Sequence, residues 1–394
     1  MIFNQRNTMA RFLILIICLF IFPVANVLSG HLAYAEPADI PSLILSLRME
    51  GIPSMVWFEK GKALYKLMAY REAAEAFSRI EKDGEKDGTP QDIIEESLYL
   101  RANSLMKIGG YSEAVALLNL IPDKSRFYSY GLFTKAMINL RQGNEKDAIE
   151  IFEQISRSFP AENLAFKAHL TSGFIFLERG NPSEAVRHFA VIPVTSPFYV
   201  QALFGSGWAY ARMGRWVRAV VFWEELSSRY PESQYAREVM PYIGHAYTTL
   251  SAYGKALEQN GAAVRYYENL LKRLLDIGKG IPSKDMKAIA QAIDIAGDKE
   301  LADDLELYHG LLSMEGYLSG RKGIGESDIK ILITASRERR SDIANRISER
   351  LSRSIEGLRH QLLEASLTAS LEIARNLRLE GGGRISDDMI FNEP

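Results

Sequence analysis

The chain has 394 residues, of which 47% are hydrophobic and 24% charged, with a formal net charge of −2. That balance excludes nucleic acid, or an anionic membrane surface, as a partner held by bulk charge. One cysteine, Cys18, leaves no disulfide framework and no thiolate metal site, so the fold rests on its apolar core.

Residues 1–35 read as a secretory signal peptide rather than as fold. Arg6 and Arg11 precede an apolar run from Phe12 to Leu28, and Ala33-Tyr34-Ala35 supplies a small-x-small cleavage site. The alternative is an uncleaved inner-membrane anchor facing the periplasm, since the run is near the lower limit of a bilayer span. Pro23 and Asn26 weaken it as a membrane helix. Cleavage after Ala35 removes the lone cysteine, which suits a bacterial periplasm. A short N-terminal segment, 36–53, follows.

Between Ser54 and Leu270 one pattern occurs six times. Alanines at 73, 114, 148, 185, 219 and 256 are each preceded, twelve positions earlier, by a small residue: Gly61, Ala102, Ala136, Gly173, Gly207 and Gly244. The small residue lets two helices of a hairpin approach closely. Gly109, Gly143, Gly180 and Gly214 stand where a first helix must end in a left-handed residue. Asn181-Pro182-Ser183-Glu184 reads as a cap with a capping box, and Asn144 with Asp147 repeats that logic. Four residues past the anchor come Phe77, Leu118, Phe152, Phe189 and Trp223, with Asn260 the exception. Pro160 and Pro231 close second helices.

A period of 34 to 41 residues with this pattern resembles the tetratricopeptide repeat family. The resemblance covers about 54–270. It implies an all-α solenoid of six antiparallel helix hairpins whose concave face binds peptides or protein segments. A looser similarity is to exported bacterial repeat proteins of envelope assembly.

In such arrays the second, fifth, ninth and twelfth positions of each first helix face the groove. Here these are Phe58, Lys62 and Tyr65; Tyr99, Asn103 and Met106; then Tyr130, Phe133, Met137 and Leu140. The later units give Lys167, Leu170, Phe174 and Leu177; Gln201, Phe204 and Trp208; and Glu238, His245 and Thr248. The middle of this set is apolar and aromatic. It lacks the Lys, Asn and Arg pattern of tetratricopeptide clamps that grip a C-terminal carboxylate. It reads either as a binding groove or as core covered by another part of the chain. Phe133, Phe174, Phe204 and Trp208 are the expected anchors of a bound partner.

Beyond Leu271 the repeat fades into a helical extension, 271–325, with breaks at Gly278–Pro282 and Gly320–Gly325. A long helix is expected over 326–379, with an apolar stripe at Ile343, Ile347, Leu351, Leu358, Leu362, Ala365 and Ala369. Such a stripe must pack on the repeats, pair with a second copy or meet a partner. Arg337, Arg339 and Arg340 read as a solvated face beside Glu338 and Asp342. Residues 380–394 are Gly-rich then acidic, and are expected to be disordered.

Little in the sequence points to chemistry. None of His169, His188, His245, His309 and His360 sits at metal-ligand spacing. Gly320–Gly325 lacks the Lys-Ser or Lys-Thr ending of a phosphate loop, and no GxSxG elbow occurs. No catalytic residue, metal or cofactor is therefore expected. The expectation is a non-enzymatic periplasmic scaffold or adaptor that holds a protein or peptide partner in its groove, in assembly of an envelope complex. Nucleic acid is not expected, and a membrane only through a retained signal segment. The alternatives are a groove filled by the chain's own C-terminal helix, a homodimer through that helix, and an enzyme accessory with a weak site at His245.

Overall fold

The structure, a computed structural model, describes residues 52–280, 299–319 and 326–380, with positions 40, 44, 45, 289, 290, 292 and 293. The expected signal segment, the Gly320–Gly325 break and the C-terminal tail past residue 380 lie outside the described residues. Secondary structure among the described residues is helical throughout. Six hairpins come first: α1 (Pro53–Lys66) with α2 (Tyr70–Asp83), α3 (Gln91–Lys107) with α4 (Tyr111–Leu118), and α5 (Tyr128–Arg141) with α6 (Glu145–Ser158). Then come α7 (Asn163–Glu178) with α8 (Pro182–Ala190), α9 (Tyr199–Arg212) with α10 (Trp216–Arg229), and α11 (Gln234–Thr249) with α12 (Tyr253–Gly280). Two further helices are α13 (Lys299–Ser319) and α14 (Glu326–Glu380). The chain forms two compact units, one of residues 1–165 with 299–349 and one of 166–298 with 350–394.

Close helix approach builds each hairpin. All six anchor alanines are fully buried. The missing side chain of Gly61 makes room for the Phe77 ring, since a Cβ there would lie 2.5 Å from Phe77 Cε1. Gly173 holds Phe189 at the same distance, and Gly207 holds Trp223, whose Nε1 would be 2.1 Å from an added Cβ. A glycine inside a helix costs about 1 kcal/mol. Burying the ring that it admits returns about 1.5–3 kcal/mol. The sixth hairpin breaks the rule: buried Asn260 takes the aromatic place, its Oδ1 1.9 Å from where a Gly244 Cβ would sit. Its Nδ2 finds no hydrogen-bond partner.

The turns are more uniform than their residues suggest. Gly109, Gly143, Gly180 and Gly214, each five before an anchor alanine, have φ between +71° and +85°. Met68 and Ser251 take the same place in the first and sixth hairpins, with φ of +57° and +56°. A six-to-one backbone bond closes every turn, as in Gly110 N–H to Leu105 (2.8 Å) and Ala252 N–H to Tyr247 (2.9 Å). Asn181 caps α8 by accepting from the Glu184 N–H at 3.4 Å. The reciprocal half of that box is missing, because the Asn181 N–H is already bonded to Phe176 and the Glu184 carboxylate holds Arg187. Contrary to expectation, the Asn144 side chain makes no cap bond.

Pro241 lies inside α11 and has no N–H for the Arg237 carbonyl one turn back. The buried Tyr267 of α12 donates its hydroxyl to that carbonyl at 3.3 Å.

α14 buries one face. Ile343 and Ile347 in the first unit, and Leu351, Leu362 and Ala369 in the second, are almost wholly enclosed. In the first unit α14 is tied to α13 by Ser336 to the Leu311 carbonyl (3.2 Å), Arg340 to Glu315 (2.6 Å) and Arg346 to Asp304 (2.8 Å). The expected apolar stripe is thus covered by the chain itself. Arg337 also reaches Glu315, at 3.5 Å, so part of the arginine cluster is neutralised by α13.

Two substitutions test this account. Gly207→Ala should lower the denaturation midpoint, followed by circular dichroism, by the equivalent of about 2 kcal/mol, because Trp223 cannot yield in a packed core. Met68→Gly should raise it by up to about 1 kcal/mol by removing the left-handed penalty.

Candidate functional site

The groove-mapped residues of the first unit divide into enclosed and open sets. Phe58 is buried, its ring 6.2 Å from Phe77 of the same hairpin. Phe133 packs likewise on Phe152 at 5.4 Å. Helix α13 lies against α1: a Cβ on Gly310 would be 2.9 Å from the Lys66 carbonyl oxygen. Glu59, Lys62, Ala63 and Lys66 with Gly310, Ser313 and Met314 line a partly open cavity of about 150 Å³. Burial raises the Tyr65 phenol to about 12, with smaller contributions from Tyr70, Tyr99 and Glu306 of α13. The first hairpin is therefore engaged by the chain's own α13.

The second and third hairpins present a different surface. Tyr99 stacks on Phe127 at 5.7 Å and meets Tyr130 edge-on at 6.0 Å. Behind it the buried Thr134 hydroxyl donates to Asn103 Oδ1 at 3.2 Å, and Met137 is half-buried. Tyr130 is 48% exposed. It stands in an open recess of about 830 Å³ where α3, α5 and α7 begin, lined also by Glu96, Arg126, Phe127, Asn163 and Leu164. Arg126 crosses the recess, bonded to Glu96 at 3.0 Å and within 3.8 Å of Asp92. A tyrosine face, a guanidinium and a carboxylate thus meet solvent together.

In the second unit most groove-mapped aromatics are hairpin core. Phe174 packs on Phe189 (5.1 Å), Phe204 on Tyr235 (5.1 Å), and Trp208 on both Tyr242 (4.6 Å) and Trp223 (5.2 Å). Leu170 is buried as well. Half-buried His245 meets the Trp216 ring edge at 6.0 Å. At the last hairpin, the Thr248 hydroxyl lies 3.0 Å from the Gly244 carbonyl and 3.1 Å from the Asn376 side-chain amide of α14. One hydroxyl hydrogen serves Gly244, so the second contact is satisfied when the amide turns its NH₂ toward Thr248.

Two titratable features were not legible in the sequence. Glu238 is half-buried, its Oε2 covered and without a hydrogen-bond partner. Burial raises its carboxyl to about 7, against a smaller opposing pull from Arg237. His169 and His188 face each other across the fourth hairpin, Nδ1 to Nδ1 at 3.1 Å, with His188 also stacked on Phe176. One ring must donate and the other accept, which two neutral rings in opposite tautomers satisfy. Burial, then the neighbouring His169, lowers His188 to about 4. Nothing at either position marked a cross-helix partner, since each residue alone reads as a core substitution. Among the described residues no cluster of three or more potential metal ligands occurs, and no helix is long and apolar enough to cross a membrane.

These hairpins, with a small residue on a ring and a left-handed turn five before a buried alanine, define a helical repeat array. The Tetratricopeptide repeat family model matches residues 201–233, which take in most of α9 and all of α10. The match thus falls on the fifth hairpin, and the other hairpins share its left-handed turn and buried anchor alanine. Similar solved structures include the C-terminal part of a TPR repeat-containing protein from Cytophaga hutchinsonii, at 16% identity and a TM-score of 0.41, covering 70% of this chain and 99% of that one. Another is a tetratricopeptide repeat protein from Parabacteroides merdae, at 13% identity and a TM-score of 0.41, covering 73% of this chain and 100% of that one. MamA MSR-1 C2 is similar at 20% identity and a TM-score of 0.36, covering 45% of this chain and 98% of that one. No curated protein matches the chain.

The two half-buried titratable features act on stability with opposite sign. Glu238 is raised on folding, so its contribution is complete below about 4.5 and lost as pH rises through about 7. Glu238→Gln should therefore melt higher than the parent protein at pH 8 and show a flatter melting profile from pH 5 to 8. His188 is lowered on folding, so its contribution is complete above about 6.5 and lost as pH falls toward about 4. In His188→Phe the fall in melting temperature over that acid range should shrink.

Proposed function

We propose that the protein is a non-enzymatic scaffold exported to the bacterial periplasm, which binds a protein or peptide partner during assembly of an envelope complex. The recess around Tyr130 carries this reading. It joins an exposed aromatic face to a charged side chain at the start of three successive first helices, a combination suited to anchoring an apolar residue of an extended segment. The leading arginines, apolar run and Ala33-Tyr34-Ala35 motif support export. The expected anchors Phe133, Phe174, Phe204 and Trp208 are buried, so binding in this reading falls to the rims that remain open, with Tyr130 foremost.

A second reading has a specific observation behind it. Gly310 rests on the Lys66 carbonyl in the first unit, and Asn376 contacts Thr248 in the second. In this reading the first and last hairpins are held by the chain's own C-terminal helices, and a partner meets only the hairpins between.

A photoreactive amino acid at Tyr130, introduced in the producing cells, tests the proposal. An envelope-fraction protein should be captured there, and Arg126→Glu should reduce that capture at least tenfold (about 1.4 kcal/mol). Equal capture from exposed Val221 on α10 would show that the recess is not the working surface.

A further inference from the structure

The hairpins repeat in pairs. Ala114 to Ala185 and Ala148 to Ala219 are both 71 residues. The second helices alternate in step, 8 and 9 residues in α4 and α8 against 14 in α6 and α10. Around the start of α5, Ile121-Pro122, Ser125 and Phe127-Tyr128 recur as Ile192-Pro193, Ser196 and Phe198-Tyr199 at the start of α9. The backbone follows the sequence. Phe127 and Phe198 have φ of −93° and −98°, and a serine two residues back accepts from each N–H, at 3.1 and 3.2 Å. Phe159 and Tyr230, ahead of α7 and α11, have φ of −133° and −131°. Their rings meet Tyr128 and Tyr199 at 6.4 and 6.5 Å. What one junction does with a side chain is therefore a template for the other.

The two junctions differ where the recess lies. Tyr235, at the start of α11, stands 71 residues after Leu164 at the start of α7. Its ring packs on Phe204 at 5.1 Å and is 5% exposed. Its hydroxyl, and the side-chain oxygen of Gln201 on α9, are both shut off from water. The matching residues of the first unit are shorter or more open. Leu164 is half-buried, Phe133 in the place of Phe204 is 9% rather than 1% exposed, and Tyr130 in the place of Gln201 is 48% exposed. Leu164 stops where a tyrosine would continue, and the recess of about 830 Å³ that it lines with Tyr130 opens beyond it.

We infer that the recess takes an aromatic side chain of the partner segment, seated in the first unit as Tyr235 seats its own ring in the second. The assignment rests on the recess being the binding surface, and it specifies the anchor. A flat ring gains an aromatic contact with Tyr130. Arg126, already over the Phe127 ring at 4.7 Å, brings a cation to the same aromatic group. A leucine would fill the volume with neither interaction, and Glu96 and Glu162 on the lining oppose an acidic anchor.

The chain itself supplies one test. Leu164→Tyr copies the second junction, so the intact protein should melt no lower than the parent and its recess should be closed. The other test passes acetylated, amidated heptapeptides of random sequence over the immobilised intact protein and reads the retained sequences by mass spectrometry. Tyr, Phe and Trp should exceed Leu and Ile among them about two- to tenfold, the increment of an aromatic pair. Leu164→Tyr and Tyr130→Ala should each abolish that excess, and Tyr130→Phe should keep it. A Leu164→Tyr protein that melts lower than the parent overturns the assignment, since the place then has no room for a ring. So does retention that favours Leu or a charged residue yet still falls in Tyr130→Ala, which leaves the recess a binding surface with a different anchor. Retention that neither variant changes, or no retention at all, overturns the assignment and the recess as a binding surface together.

Discussion

A hairpin of two helices closes only as far as its bulkiest contact permits, and in three hairpins of this chain that contact is an aromatic ring laid on a backbone without a side chain. Gly61 under Phe77, Gly173 under Phe189 and Gly207 under Trp223 repeat it. The ring cannot move outward without exposing itself, and the glycine cannot gain a carbon without expelling the ring. Much else follows from that closeness. Phe58, Phe133, Phe174 and Trp208 are buried because the second helix comes near enough for its ring to reach them. Where the ring is replaced by Asn260, a buried amide is left with an unanswered donor, and regular repetition ends with that hairpin.

The same constraint explains what could be read in advance. Small residues at a fixed interval from alanines are a one-dimensional trace of helix contact, so six hairpins and their turns were visible in the sequence. Met68 and Ser251 show its limit: they adopt the left-handed turn without the glycine that would announce it, because the six-to-one bond and the packed hairpin hold them there. Surface was harder to read than core. Assigning positions to a concave face says which way a side chain points from its helix, but not what lies over it. Tyr130 stayed open while Phe133, one turn away, did not. α14 was read as having one apolar stripe, and the exposed Leu363, Leu367 and Leu371 lie outside it. The His169–His188 pair escaped for a related reason, since its meaning lies in a contact across a turn and not in either residue's spacing.

Polar groups within the array are handled locally. Pro241 interrupts a helix, and Tyr267 answers the carbonyl it leaves open. Thr134 and Asn103 satisfy each other behind Tyr99, which keeps that ring in place beneath the open recess. Glu238 stands apart, half-buried with one oxygen unanswered and its carboxyl shifted toward neutrality. The histidine pair leans the other way, so the array carries compensating sensitivities to acid and base.

The turn also governs how this chain can vary in length. Within every hairpin the left-handed residue sits five before the anchor alanine, whether it is glycine, methionine or serine. An inserted residue there would rotate the second helix by about 100° and carry the ring off its glycine. The segments joining one hairpin to the next are less uniform, and the spacing of the anchors, 34, 37 or 41 residues, changes between hairpins while the turn does not. Each hairpin is in effect an indivisible casting, and the joints between castings, apart from the two that line the Tyr130 recess, are where an added peptide tag, a recognition loop or a reporter domain could be spliced in.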